Sequence, residues 1–168
     1  MKMKGKLCSM IAGFVLLAGC AETTSADPLL DRAPDAQRVE VRRLEFLPVS
    51  FSGIGTVERV VIRSETEWPA FWTRLWGGDR RPRPAVDFDR EMVVAATMGG
   101  RPTGGFWIQV DSAVVSSAAV DVFVTEQSPG RSCGTTQAFV YPADAVAIPA
   151  SSQPVRFHEA KVTRECSP

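Results

Sequence analysis

Histidine is almost missing from this 168-residue chain, and His158 is the only one. A Ser-His-Asp arrangement would have to be built on it, and no Gly-x-Ser-x-Gly elbow accompanies it. Zinc has little to draw on, because Cys133, His158 and Cys166 lack the paired spacing of a zinc site. Net charge is missing as well: 19 Lys and Arg balance 19 Asp and Glu. Without Lys2, Lys4 and Lys6 the balance turns slightly acidic, so no broad positive field points to nucleic acid. The longest apolar run, residues 7–19, falls short of the ~20 residues that a membrane-spanning helix needs. Carboxylate pairs for glycosidase-type chemistry form in space, and nothing in the sequence singles one out. The expectation is a protein that is not an enzyme and has no cofactor, no metal site and no catalytic residue.

The short apolar run itself carries information. Lys2, Lys4 and Lys6 precede it, and Leu17-Ala18-Gly19-Cys20 closes it with small residues before a cysteine. This pattern resembles a bacterial lipoprotein signal, with residues 1–19 removed and Cys20 acylated as the new N-terminus. Several acyl chains anchor stably, at about 0.8 kcal/mol per buried CH₂. The resemblance implies a cell-envelope protein held to a membrane by lipid. Ala21 in place of Asp is similar to the outer-membrane sorting pattern of Gram-negative lipoproteins. Residues 20–37 then read as the lipidated cysteine and a polar, proline-bearing tether, with a reach on the order of 20–25 Å. Residues 38–168 read as one domain.

Cysteine is nearly spent by the same logic. Cys8 goes with the signal and Cys20 with the lipid, which leaves Cys133 and Cys166. An oxidising compartment favours a disulfide between them. Two unlinked thiols, or one thiol that attacks a partner, are the alternatives.

Along the domain, strands are expected at Val39–Leu47 and Val57–Arg63, with a turn at 51–55 between them. One amphipathic helix is expected over about 65–76. Ser64 and Glu67 fit a capping box, and Trp68, Phe71, Trp72 and Leu75 recur at i, i+3, i+4 and i+7. That stripe reads as a face sealing one side of a sheet. Arg80 to Pro84 reads as a solvated loop stiffened by proline. Met92–Met98 is apolar enough for a central strand. Alternation at Phe106–Val110, Val120–Val124 and Val155–His158 adds strands, and so do Gln137–Tyr141 and Ala145–Ile148. The opposite parity places His158 on the exposed side of its strand. The fold class expected is α+β, a mainly antiparallel sheet structure with one helix.

Gly99 to Gly105 is the most glycine-rich segment. It leads into a strand and is followed by no Gly-Lys-Ser/Thr, so it reads as a tight strand connection, not a phosphate loop. Four segments in order then resemble the PrcB family of protease-complex subunits, in its C-terminal domain. They are Phe51-Ser52-Gly53-Ile54 with Val60-Val61-Ile62, Glu67-Trp68 and Trp72; Val86-Asp87-Phe88 with Met92-Val93-Val94; Gly100-Arg101-Pro102-Thr103-Gly104-Gly105-Phe106; and Pro129 to Pro142 with Cys133 and Thr136-Gln137-Ala138. This chain has Tyr141-Pro142 where the family tends to carry Pro-Tyr. The resemblance covers roughly residues 50–158. It implies an accessory or binding subunit of the envelope, possessing no catalytic residues to transfer, that associates with an envelope protein such as a protease.

The partner surface expected from turn chemistry and this resemblance joins the loop 99–105 to the loop 127–135. Its candidate contact residues are Arg101, Thr103, Gly104, Gly105 and Arg131. Two rival readings stand beside it. Ser128 to Cys133 offers Arg131 to a trypsin-like pocket in the manner of a protease inhibitor. Alternatively, Trp107 and Trp76 act as stacking residues of a small-ligand module.

Overall fold

The computed structural model describes residues 34–78 and 81–166. The signal segment, Cys20 and most of the tether lie outside the described residues. Eight strands and one helix follow in the order β1 (Gln37–Val39), β2 (Arg42–Arg43), β3 (Val57–Ile62), α1 (Trp68–Leu75), β4 (Glu91–Met98), β5 (Trp107–Val115), β6 (Val120–Pro129), β7 (Ala143–Pro149) and β8 (Val155–Arg164). They form two four-stranded sheets, one ordered β1-β5-β6-β8 and the other β2-β7-β4-β3. The class is α+β, with antiparallel pairing throughout except for β6 and β8.

Alternation along each strand explains the layering. On β4, Met92, Val94, Ala96 and Met98 face Ile108, Val110, Val120, Val122 and Val124 of the other sheet, all buried. The opposite parity, Val93 and Ala95 with Ala143, Ala145 and Ala147 of β7, packs against the helix side. Small residues dominate this second face because bulky ones come from the helix. Trp68, Phe71, Trp72 and Leu75 are all buried on it, and burying one Leu- or Phe-sized side chain contributes on the order of 1.5–3 kcal/mol. Among the described residues the layers therefore run helix, sheet, sheet, and no described helix covers the outer face of the β1-β5-β6-β8 sheet.

Three expectations need correction. Val39–Leu47 is not one strand: β1 pairs with β5 in one sheet and β2 with β7 in the other. The chain switches sheets there, sending Val39 to the inter-sheet core and Leu44 to the helix side. Gln137–Tyr141 is not a strand; only Val140 and Tyr141 make isolated bridges, to Arg101 and Phe51. The mainly antiparallel arrangement holds, and within it β8 lies parallel to β6 over ten residue pairs, because the connection after β7 returns it to the same end. The capping box also forms differently. The Ser64 hydroxyl and the Arg63 backbone N–H both donate to the Glu67 carboxylate, at 3.0 and 3.1 Å, and the helix proper starts one residue later. Those two bonds, the Arg63 N–H first, hold the Glu67 carboxyl below its ordinary range.

Candidate functional site

Register places six strand ends together. Val57 of β3 and Ala143 of β7 flank the Met98 end of β4. Trp107 of β5 lies opposite Gln127 near the end of β6, and Pro129 of β6 lies beside Arg164 of β8. The segment after β2 arrives at the same end, where Val49 and Ala143 exchange backbone hydrogen bonds of 2.8 and 2.9 Å. Three loops thus meet at one pole: 44–56, 99–106 and 130–142.

The motif residues explain how these loops interlock. The Ser52 hydroxyl accepts from the Ile54 N–H, and Ile54 is buried in the helix-side core. Gly53 donates its N–H to the Leu75 carbonyl at 2.7 Å, which satisfies a carbonyl at the end of α1. A Cβ on Gly53 would stand 2.4 Å from the Arg74 carbonyl oxygen. Gly100 lies under the Tyr141 ring, and its N–H donates to the Gly55 carbonyl at 3.1 Å. Gly104 donates to the Thr136 carbonyl at 2.9 Å, and a Cβ on it would meet the Thr136 hydroxyl at 2.4 Å. Gly105 has φ of +86° and turns the chain into β5.

This geometry redistributes the candidate contact residues. Gly104 is buried against Thr136 and Thr103 is half-buried. Arg101 is half-buried, holds Val140 through two backbone hydrogen bonds, and lays its guanidinium 5.7 Å from the centre of the Phe106 ring. Gly105 and Arg131 are exposed. Cys133 and Cys166 form a disulfide with Cα atoms 5.0 Å apart. It fastens the 130–133 turn to the end of β8, helped by Gly130 N–H to the Arg164 carbonyl and Ser132 hydroxyl to the Cys166 carbonyl.

The inhibitor reading loses support here, and so does Trp76 as a stacking residue. Arg131 is the second residue of a turn closed by Cys133 N–H to the Gly130 carbonyl at 3.1 Å. A substrate-like inhibitor presents extended backbone, and this one is bent. Trp76 already carries the Arg81 guanidinium 4.1 Å from its ring centre, with Phe46 at its edge. Trp107 lines an open cleft of about 360 Å³ with Ser50, Gly105, Phe106, Gln127 and Arg164.

Two ionic features of the site have no pattern in the sequence that announces them. Arg59 of β3 reaches across to Glu126 of β6 and Glu159 of β8 at 2.5 and 2.8 Å, stitching the sheets together at this pole. Asp144, one residue into β7, is fully buried. It accepts from Arg43 at 2.8 Å and from the Val110 N–H at 2.7 Å, next to the register shift in β5. Burial pushes its carboxyl up, against the opposing pull of those two partners. A single Asp inside the apolar run of β7 is the one available signal. His158 lies on the outer sheet face, with Asp121 at 2.6 Å and Phe123 stacked beside it.

Large apolar side chains complete the picture. Phe46, Phe51, Val57, Phe139 and Val162 are the exposed ones among the described residues. Phe46 and Phe51 sit on the first loop, Phe139 on the third, and Val57 and Val162 on the adjoining strand ends, so all five share this pole.

What the molecule defines is a small α+β sandwich whose signature glycines weld loops and whose apolar surface gathers at one end. Residues 92–149, from β4 through β7, match the family model described as PrcB C-terminal. The family resemblance read from the sequence is thereby shown over that segment. No curated protein and no solved structure matches the chain.

Proposed function

We propose that this protein is a non-enzymatic accessory subunit of the cell envelope, lipid-anchored through Cys20, that docks another envelope protein through the loop pole. A protease is the partner that the PrcB match favours. The observation that carries the reading is the gathering of exposed apolar residues where the family's loops converge. Single exposed apolar residues are ordinary, whereas a cluster on one surface marks an interaction site. Phe51 and Phe139 are the best anchors, at 63% and 67% exposure.

The test is a mild crosslinking recovery of the tagged lipoprotein from envelopes. Phe51→Asp with Phe139→Asp is expected to lower recovery of an enriched envelope protein by about tenfold or more, as loss of a hot spot does. Arg131→Glu should weaken it less, and Ser152→Asp at the far end should leave it unchanged. Unchanged recovery in the double Phe variant would overturn the docking pole. Recovery of Cys20→Ala in the soluble fraction, against membrane recovery of the wild type, tests the anchor separately.

A further inference from the structure

The tether joins the sandwich at the pole opposite the loops. Gln37, where β1 begins, pairs with Val115 at the end of β5, and Val115 pairs with Val120 at the start of β6. Asp35 accepts from the Ser117 N–H at 2.7 Å, which pins the last residues before β1 to the β5–β6 hairpin. The loop pole lies at the other end of β6, ten residues away. That is roughly 30 Å at about 3.3 Å per strand residue.

We infer that the sandwich presents its docking pole away from the membrane. Its occupant would be the part of an envelope protein that stands off the bilayer, offering an apolar surface that bears carboxylates. The inference rests on the anchor and docking readings above.

Two observations carry it. The first is a comparison of lengths. On the anchor reading only residues 21–33 separate Cys20 from the described chain, which begins at the hairpin pole, and a flexible chain of that length would reach on the order of 20 Å. Turning the loop pole to the bilayer would require the same tether to climb the full ~30 Å of the sandwich, beyond its mean reach. The second is charge. Arg101, Arg131 and Arg164 lie at the loop pole with no ion-pair partner among the described residues, while Arg59 and Arg74 there are already paired. Glu45 and Glu165 offset them in part, so a partner carrying carboxylates is favoured over a neutral one.

An anionic bilayer shares this chemistry, and the experiment separates the two. The lipidated chain is placed on phosphatidylglycerol–phosphatidylethanolamine vesicles carrying a headgroup acceptor dye. A donor dye is attached at Ala118→Cys, on the hairpin, or at Gln137→Cys, on the third loop. Energy transfer from position 118 is expected to exceed that from position 137 by roughly twofold or more, given the ~30 Å separation. Equal transfer, or more from position 137, overturns the inference, and the second result would assign the pole to the lipid surface. Failure of the wild type to bind vesicles any better than Cys20→Ala would instead overturn the anchor reading, and this inference with it. The Phe51 and Phe139 recovery experiment reports on docking independently of orientation.

Discussion

At the scale of residues, the motifs of this chain are mostly about close approach. Gly53 and Gly55 sit two positions apart and make opposite predictions. A Cβ at 53 would collide with backbone at 2.4 Å, whereas one at 55 would meet only the Tyr141 ring at 3.9 Å. Gly53→Ala should therefore destabilise by about 1–3 kcal/mol and Gly55→Ala by much less, as measured by urea unfolding. Asp144 makes a prediction of different sign from an ordinary paired carboxylate. Its folded-state pKa is raised, so the stability it contributes is full below the usual carboxylate value. That contribution is lost as pH rises through the raised value. Asp144→Asn removes this dependence. The stability of the Asn variant relative to wild type should improve between about pH 4 and pH 7 when both are unfolded in parallel. A constant difference would show that the carboxyl titrates alike in the folded and unfolded chains.

At the scale of elements, legibility followed one-sidedness. The helix was readable because Trp68, Phe71, Trp72 and Leu75 share one buried face, with the Trp68 and Trp72 indole N–H groups donating to the Pro84 and Arg81 carbonyls at its border. β4 was readable because it is covered on both sides, by helix and by sheet. Val39 to Leu47 misled because its apolar residues serve two different cores, and local alternation cannot say to which sheet a residue goes. Gln137 to Tyr141 misled because its apolar residues face outward at the pole: Phe139 is 67% exposed. Of the candidate site, the loops were readable from their glycines, but Phe51 and Phe139 were not chosen, since exposure is a tertiary property. The Arg59 clamp depends on which strand ends coincide and was invisible for the same reason. The disulfide is an element-scale tie, closing a loop between Cys133 and Cys166 with a sequence separation of 33. Its reduction should cost about 3–4 kcal/mol in the chain-entropy model, read as a lower Tm with reductant present. Cys133→Ser with Cys166→Ser should lower Tm similarly and become insensitive to reductant.

At the scale of the whole molecule, the two poles divide the work. One holds the start of the described chain through Asp35 and Ser117, and the other collects the loops, the exposed rings and the unpaired arginines. The strand order also has a consequence for the way the chain is made. In the sheet ordered β2-β7-β4-β3, the strand between β2 and β4 is β7, which begins only at Ala143. In the other sheet one edge strand is β8, the last of the described strands. A growing chain that has reached residue 140 therefore holds the β3–β4 pair, joined through α1, and the β5–β6 hairpin, with β2 still unpaired. It cannot complete either sheet, because the missing strands pair with partners made long before. Such non-local closure is slow, on the order of milliseconds to seconds. The native pairing of both sheets is thus out of reach until β7 and β8 have been made, and until then β4 and β6 each keep an unpaired edge.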